Sequence, residues 1–176
     1  MTRRYVLIGL AIVLAVPIWG ASYRRSRSSR PSGSSATVRA VAPEFSLKDL
    51  DGKTLDLATY RGKVVLLDFW ATWCTPCRGE IPHLVEFQGK YGAQGFQVIG
   101  ISMDDDAKPV RGFYKDFKMN YPVALGTTEV ADAYGGVLGL PIAFLIGRDG
   151  RVAVKYVGAV EMPVVEHEIN SLLQAK

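Results

Sequence analysis

The stretch Val64–Pro82, VVLLDFWATWCTPCRGEIP, holds both cysteines of the chain, Cys74 and Cys77. Its opening run, Val64–Trp70, is almost unbroken apolar sequence rich in strand formers, the pattern of a strand covered on both faces. Beyond the cysteines, Ile81, Leu84, Val85 and Phe87 recur at helical spacing up to Tyr91, with Gly92 as the stop. Pro82 predicts a kink, because it cannot donate to the carbonyl four residues back. The two thiols therefore fall where a buried strand gives way to a helix.

That position has chemical consequences. Unpaired N–H groups and the positive end of the helix dipole face Cys74 and favour thiolate over thiol. Such sites lower a cysteine pKa from about 8.5 into the range of about 3.5 to 7.5. Cys77 is one helical turn on, within reach of a mixed disulfide formed at Cys74. Pro76 suits a first turn, where its missing N–H has no acceptor. The pair reads as an electron-exchange site in which Cys74 attacks and Cys77 resolves. The competing readings are a static disulfide and half a zinc site. A bridge closing so small a loop removes little unfolded-state entropy, and zinc would have to draw its remaining ligands from His83 and His167, the only histidines.

Outward from this stretch, FSLKDLDGKTLDL (Phe45–Leu57) alternates about Asp51-Gly52 and predicts a hairpin. FQVIGIS (Phe96–Ser102) predicts a second buried strand, DDDAKPVRGFYKDF (Asp104–Phe117) a capped helix, YPVAL (Tyr121–Leu125) a short strand and TEVADAY (Thr128–Tyr134) a short helix. IAFLIG and VAVKYVG flank Arg148-Asp149-Gly150 as a second hairpin, and Glu161–Gln174 carries the apolar face of a last helix. Strands alternating with helices, followed by a hairpin, imply an α/β fold with a central mixed sheet flanked by helices.

The 176 residues, 48% hydrophobic, suffice for one ordinary domain with an extension. The net charge of +4 is unevenly placed. Residues 1–40 hold seven arginines and no acid, leaving 14 basic and 17 acidic residues for the remainder, so a basic groove for nucleic acid is not supported. A basic N-terminus (1–4) precedes the apolar Tyr5–Ala21, and residues 5–23 read as an uncleaved signal anchor in preference to a cleaved signal peptide. No cysteine follows to take a lipid anchor. Arginines on both sides leave the positive-inside rule without a vote. Residues 24–41, rich in Arg, Ser, Gly and Pro, read as a flexible linker.

VVLLDFWATWCTPCRGEIP, with its WCxPC core, resembles the thioredoxin superfamily. APEFSLKDLDGKTL, CRGEIP, the extra helix and strand between Asp104 and Leu125 and the N-terminal anchor are similar to the membrane-anchored TlpA/ResA-like thiol-disulfide oxidoreductases. The resemblance implies a thioredoxin-like domain over 42–176, with an N-terminal β-hairpin and an inserted helix and strand. It implies an extracytoplasmic, membrane-tethered protein-disulfide reductase, with protein disulfides such as those of apocytochrome c as substrates. Electrons would come from a membrane donor of the CcdA or DsbD type. No cofactor is implied, since the cysteine pair carries the electrons, and no metal site.

The same resemblance implies a cis-proline at Pro141 in GLPIAFLI, with Leu140 and Pro141 contacting substrate alongside Trp73, Thr75 and Pro76, and with Trp73 shielding the sulfurs. Ile142 and Gly147 depart from the threonine and aspartate usual in relatives. Asp68, six residues before Cys74, matches the buried acid of thioredoxins, and inside an apolar run its pKa should rise. Glu80, three residues past Cys77, matches a glutamate of the TlpA/ResA-like proteins. Either acid could move the proton of Cys77, and for each the alternative is a purely structural carboxylate.

Two other functions compete with this reading. A peroxiredoxin would need Thr or Ser three residues before its cysteine and Pro seven before, where Ala71 and Leu67 stand. A copper-binding protein on the same scaffold would use Cys74, Cys77 and His167, but such relatives space their cysteines more widely. The Asp104–Asp106 run reads as a helix cap, because a calcium loop starting there would need Gly at Pro109 and Glu at Lys115.

Overall fold

A computed structural model describes residues 34–37 and 40–175. The anchor reading of residues 5–23 and most of the linker lie outside the described residues. Among those described, no helix is long and apolar enough to cross a membrane.

The strands are β1 (Ser34–Thr37), β2 (Ser46–Lys48), β3 (Thr54–Asp56), β4 (Val64–Trp70), β5 (Phe96–Ser102), β6 (Val123–Leu125), β7 (Ile142–Ile146) and β8 (Val152–Val157). The helices are α1 (Thr75–Tyr91), α2 (Ala107–Asp116), α3 (Thr128–Ala133) and α4 (Met162–Gln174). Six strands form one mixed sheet in the order β1-β8-β7-β4-β5-β6, and β2 with β3 makes a separate hairpin. β4 pairs in parallel with β5 and antiparallel with β7, so both sides of its backbone are hydrogen-bonded.

Strand alternation sends the side chains of β4 to opposite faces. Val64, Leu66 and Trp70 join one core with Ile81, Leu84 and Phe87 of α1 and with Val165 and Ile169 of α4. Val65, Leu67 and Phe69 join the other with Leu55 of β3, Val130 of α3 and Tyr134. There the Phe69 ring lies 5.5 Å from Tyr134 and 6.0 Å from Phe144, centroid to centroid. Burying each such side chain stabilises the fold by roughly 1.5–3 kcal/mol. This double coverage is why β4 reads as a continuous apolar run.

The two hairpins form as expected. Asp49 Oδ1 accepts the backbone N–H groups of Asp51 and Lys53 and closes the β2–β3 turn. Gly150, at φ 75°, supplies the left-handed residue of the β7–β8 turn. Helix α1 is helical throughout Thr75–Tyr91, with Pro82 inside it on the exposed side.

The Asp104–Asp106 run caps helix α2 as expected, Asp106 being the N-cap with its carboxylate accepting from Lys108 N–H and the helix beginning at Ala107. One expectation needs correction. Within the stretch read as a flexible linker, Ser34–Thr37 is a strand pairing antiparallel with Val154–Val157. Main-chain pairing offered by β8 orders this segment, and a composition of small polar residues does not report it.

Candidate active site

Four residues, Ala71 to Cys74, connect β4 to α1. Met103 N–H donates to Trp70 O at 2.8 Å, and Cys74 N–H donates to Ala71 O at 3.1 Å, which fixes the turn. Cys74 is the N-cap of α1, its Sγ accepting the Cys77 N–H at 3.3 Å, and Pro76 occupies the first turn. Cys74 and Cys77 form a disulfide with Cα atoms 5.4 Å apart. They are 5% and 2% exposed and border the α1 core. The strand end, cap and helix start thus converge on the sulfurs as the sequence implied.

Asp68 projects from the middle of β4 into the same core side as Trp70 and is buried. Glu80 is half-buried on the second turn of α1, where its Oε1 accepts the Val160 N–H at 3.4 Å. The two acids line one cavity of about 20 Å³ together with Leu66, Pro141, Tyr156 and Val160. Burial, with the Glu80 charge adding to it, pushes the Asp68 carboxyl well above the usual carboxylate range. Burial likewise lifts Glu80 to about 7, against the opposing Val160 hydrogen bond. The hydroxyl of Tyr156, which lines this cavity, and that of Tyr121 are buried without a hydrogen-bond partner among the described residues.

The implied substrate-contacting residues divide. Thr75 and Pro76 are exposed on the first turn of α1, and Trp73 is 68% exposed. The two cysteines themselves are buried. Leu140 is half-buried, Pro141 is buried, and the bond between them is cis, as the resemblance implied. Leu140 and Pro141 line a surface groove of about 350 Å³ with Gly136, Leu138, Val157 and Gly158, in which Leu138 is fully exposed. His83 and His167 are exposed on their helices, and no group of three or more His, Cys, Asp or Glu side chains among the described residues is placed to hold a metal ion.

Residues 38–155 match the family model described as the AhpC/TSA family. The chain belongs to the AhpC/TSA family. Within it, the chain is 39% identical over 132 residues to the thiol-disulfide oxidoreductase ResA of Bacillus thuringiensis, covering 74% of this chain and 76% of the relative. It is 31% identical over 169 residues to ResA of Bacillus subtilis, covering 96% of this chain and 92% of the relative. Among solved structures, the thiol:disulfide interchange protein of the thioredoxin family from Chlorobium tepidum superposes with a TM-score of 0.72 at 32% identity, covering 78% of this chain and 99% of that one. The thioredoxin-like fold read from WCxPC and the ResA-like resemblance read from APEFSLKDLDGKTL and CRGEIP therefore stand.

Three features of this AhpC/TSA chain escaped the sequence. Asp104, the first residue of the run whose Asp106 caps α2, bonds Thr72 just before the cysteines. Phe113 of α2 lies 5.8 Å from the Trp70 ring and 5.3 Å from the Arg78 guanidinium, linking the inserted helix to the first turns of α1. Tyr156, a strand residue in an alternating run, lines the cavity shared by the two acids. Only the alternation of VAVKYV hinted at an inward Tyr156; nothing local marked the other two.

Proposed function

We propose that the chain is a thiol-disulfide oxidoreductase that exchanges two electrons with protein disulfides through Cys74 and Cys77. The observation that carries this reading is the Cys74–Cys77 disulfide at the start of α1, with the Cys74 sulfur already receiving a backbone N–H. In the reduced pair, the Cys74 thiolate attacks a sulfur of the partner disulfide, forming a mixed disulfide and releasing one partner thiolate. Cys77, deprotonated, then attacks Cys74 Sγ. The intramolecular disulfide forms and the second partner thiolate leaves, so the partner gains two electrons and the cysteine pair loses two.

Asp68 and Glu80 are the groups proposed to take the Cys77 proton, supported by their shared cavity and raised pKa values. Trp73, Thr75, Pro76, Leu140 and Pro141 are the proposed partner contacts. The ResA relatives and the N-terminal apolar segment support an extracytoplasmic domain anchored in a membrane, fed by a donor of the CcdA or DsbD type and reducing cysteines such as those of apocytochrome c. Equilibration of the full chain with glutathione and dithiothreitol buffers tests the direction of flow. A potential near about −270 mV supports a reductant, and one near about −120 mV would make the chain a disulfide donor instead.

A further inference from the structure

The carboxylate of Asp104 joins the turn ahead of the cysteines to the end of β5. Its Oδ2 accepts the Thr72 N–H at 2.9 Å and the Ser102 hydroxyl at 2.7 Å, and its Oδ1 accepts the Thr72 hydroxyl at 2.6 Å. Ser102, at the end of β5, is fully buried, so it is an immobile post for this acid, and the Asp104 N–H donates back to it at 3.2 Å. Both donors of Thr72 are used. Trp70 and Ala71 are held by Met103 and Cys74, and Cys74 is held as the cap of α1. Every backbone neighbour of Trp73 is therefore pinned, while its own ring is 68% exposed.

An exposed indole on a mobile turn would lose conformational freedom whenever a partner packed on it, and that ordering weakens binding. A turn already fixed avoids the loss. A charge-assisted acceptor with three donors is a strong way to fix it.

We propose that Asp104 is a positioning residue which, through Thr72 and Ser102, holds Trp73 out as a pre-formed apolar contact for a polypeptide docking at the Cys74–Cys77 disulfide. This rests on the oxidoreductase reading above. Its consequence is selective: a protein disulfide large enough to reach Trp73 benefits, and a small disulfide that touches only the sulfurs does not.

The experiment compares the dithiothreitol-reduced full chain with D104A, D104N and W73A, measuring second-order rates of oxidation by insulin and by hydroxyethyl disulfide. D104A should react roughly two- to tenfold more slowly with insulin through a higher KM, and within about twofold of the parent with hydroxyethyl disulfide, the scale set by ordering one side chain. D104N should restore the insulin rate, because its amide oxygen can accept from Thr72 N–H and Ser102 while its amide nitrogen donates to the Thr72 hydroxyl after that rotor turns. D104A combined with W73A should be no slower on insulin than W73A alone. If D104A fails to fold, Thr72→Val, which removes one of the three bonds, should show the same selectivity on a smaller scale.

Equal slowing on both disulfides, an unchanged insulin rate, or additive losses in the double variant would overturn the proposal. A parent chain that oxidises with neither disulfide would instead overturn the oxidoreductase reading itself.

Discussion

The carboxyl groups of Asp68 and Glu80 approach one cavity from different layers, Asp68 from the central strand β4 and Glu80 from the helix that carries both cysteines. Each is driven toward its protonated form by burial, and the charge of Glu80 reinforces this at Asp68. The pair places two carboxyl groups with different environments on one cavity.

Glu80, at about 7, has a folded-state pKa above its unfolded value, so its contribution to stability is full below about pH 4 and is lost as pH rises through about 7. Glu80→Gln keeps an oxygen for the Val160 N–H and removes the charge. Urea unfolding of the oxidised protein should show the variant more stable than the parent by about 1–3 kcal/mol at pH 8 and no more stable at pH 4. The same variant should lose an inflection near pH 7 in its exchange rate. A parent rate that is flat across that range would remove Glu80 from the proton path.

The same sign applies to Asp68, whose raised pKa makes the ionised form a burden from the ordinary carboxylate range upward. Asp68→Asn should therefore stabilise the oxidised fold at pH 8 and not at pH 4, read by the same unfolding curves. It should also slow collapse of the mixed disulfide without slowing its formation. Rapid-quench alkylation separates the two steps, and an unaffected second step would leave Asp68 a structural acid.

Cys77→Ala should accumulate a mixed disulfide at Cys74 when the reduced protein meets a disulfide partner, visible as a mass adduct that dithiothreitol removes. Cys74→Ala should give none. Adducts at Cys77 in the Cys74 variant would reverse the proposed roles.

Phe113 stacks on Phe117 at 4.6 Å while contacting Trp70 and Arg78. Phe113→Ala should cost about 2–4 kcal/mol in equilibrium unfolding and shift Trp70 emission to the red by admitting water. A loss under about 0.5 kcal/mol would mean that α2 contributes no more than surface packing.

Much of this was legible in the chain. The buried run Val64–Trp70 and the CxxC step into a helix identified the fold, because continuous apolar strands and helix-start thiols follow from local chemistry. Pro141 was legible only through resemblance, which carries position and not geometry, whereas Asp68 also stood out as an acid inside an apolar run. Asp104 and Thr72, 32 residues apart, could not be paired from sequence, since their contact exists only once β5 lies beside β4. β1 was missed for a related reason: a strand formed by borrowed main-chain hydrogen bonds needs no apolar signature.

That last strand has a practical meaning for anyone shortening the chain. The six-stranded sheet ends at β1 and β6, so Ser34–Thr37 is what closes the outer side of β8. A fragment beginning at Ala42 keeps the cysteines and both cores, yet leaves Val154–Val157 with a row of unsatisfied N–H and C=O groups and the half-exposed Val157 beside them. Such a naked margin is a template for edge-to-edge association. Self-association of a trimmed domain would then report the cut and not the protein.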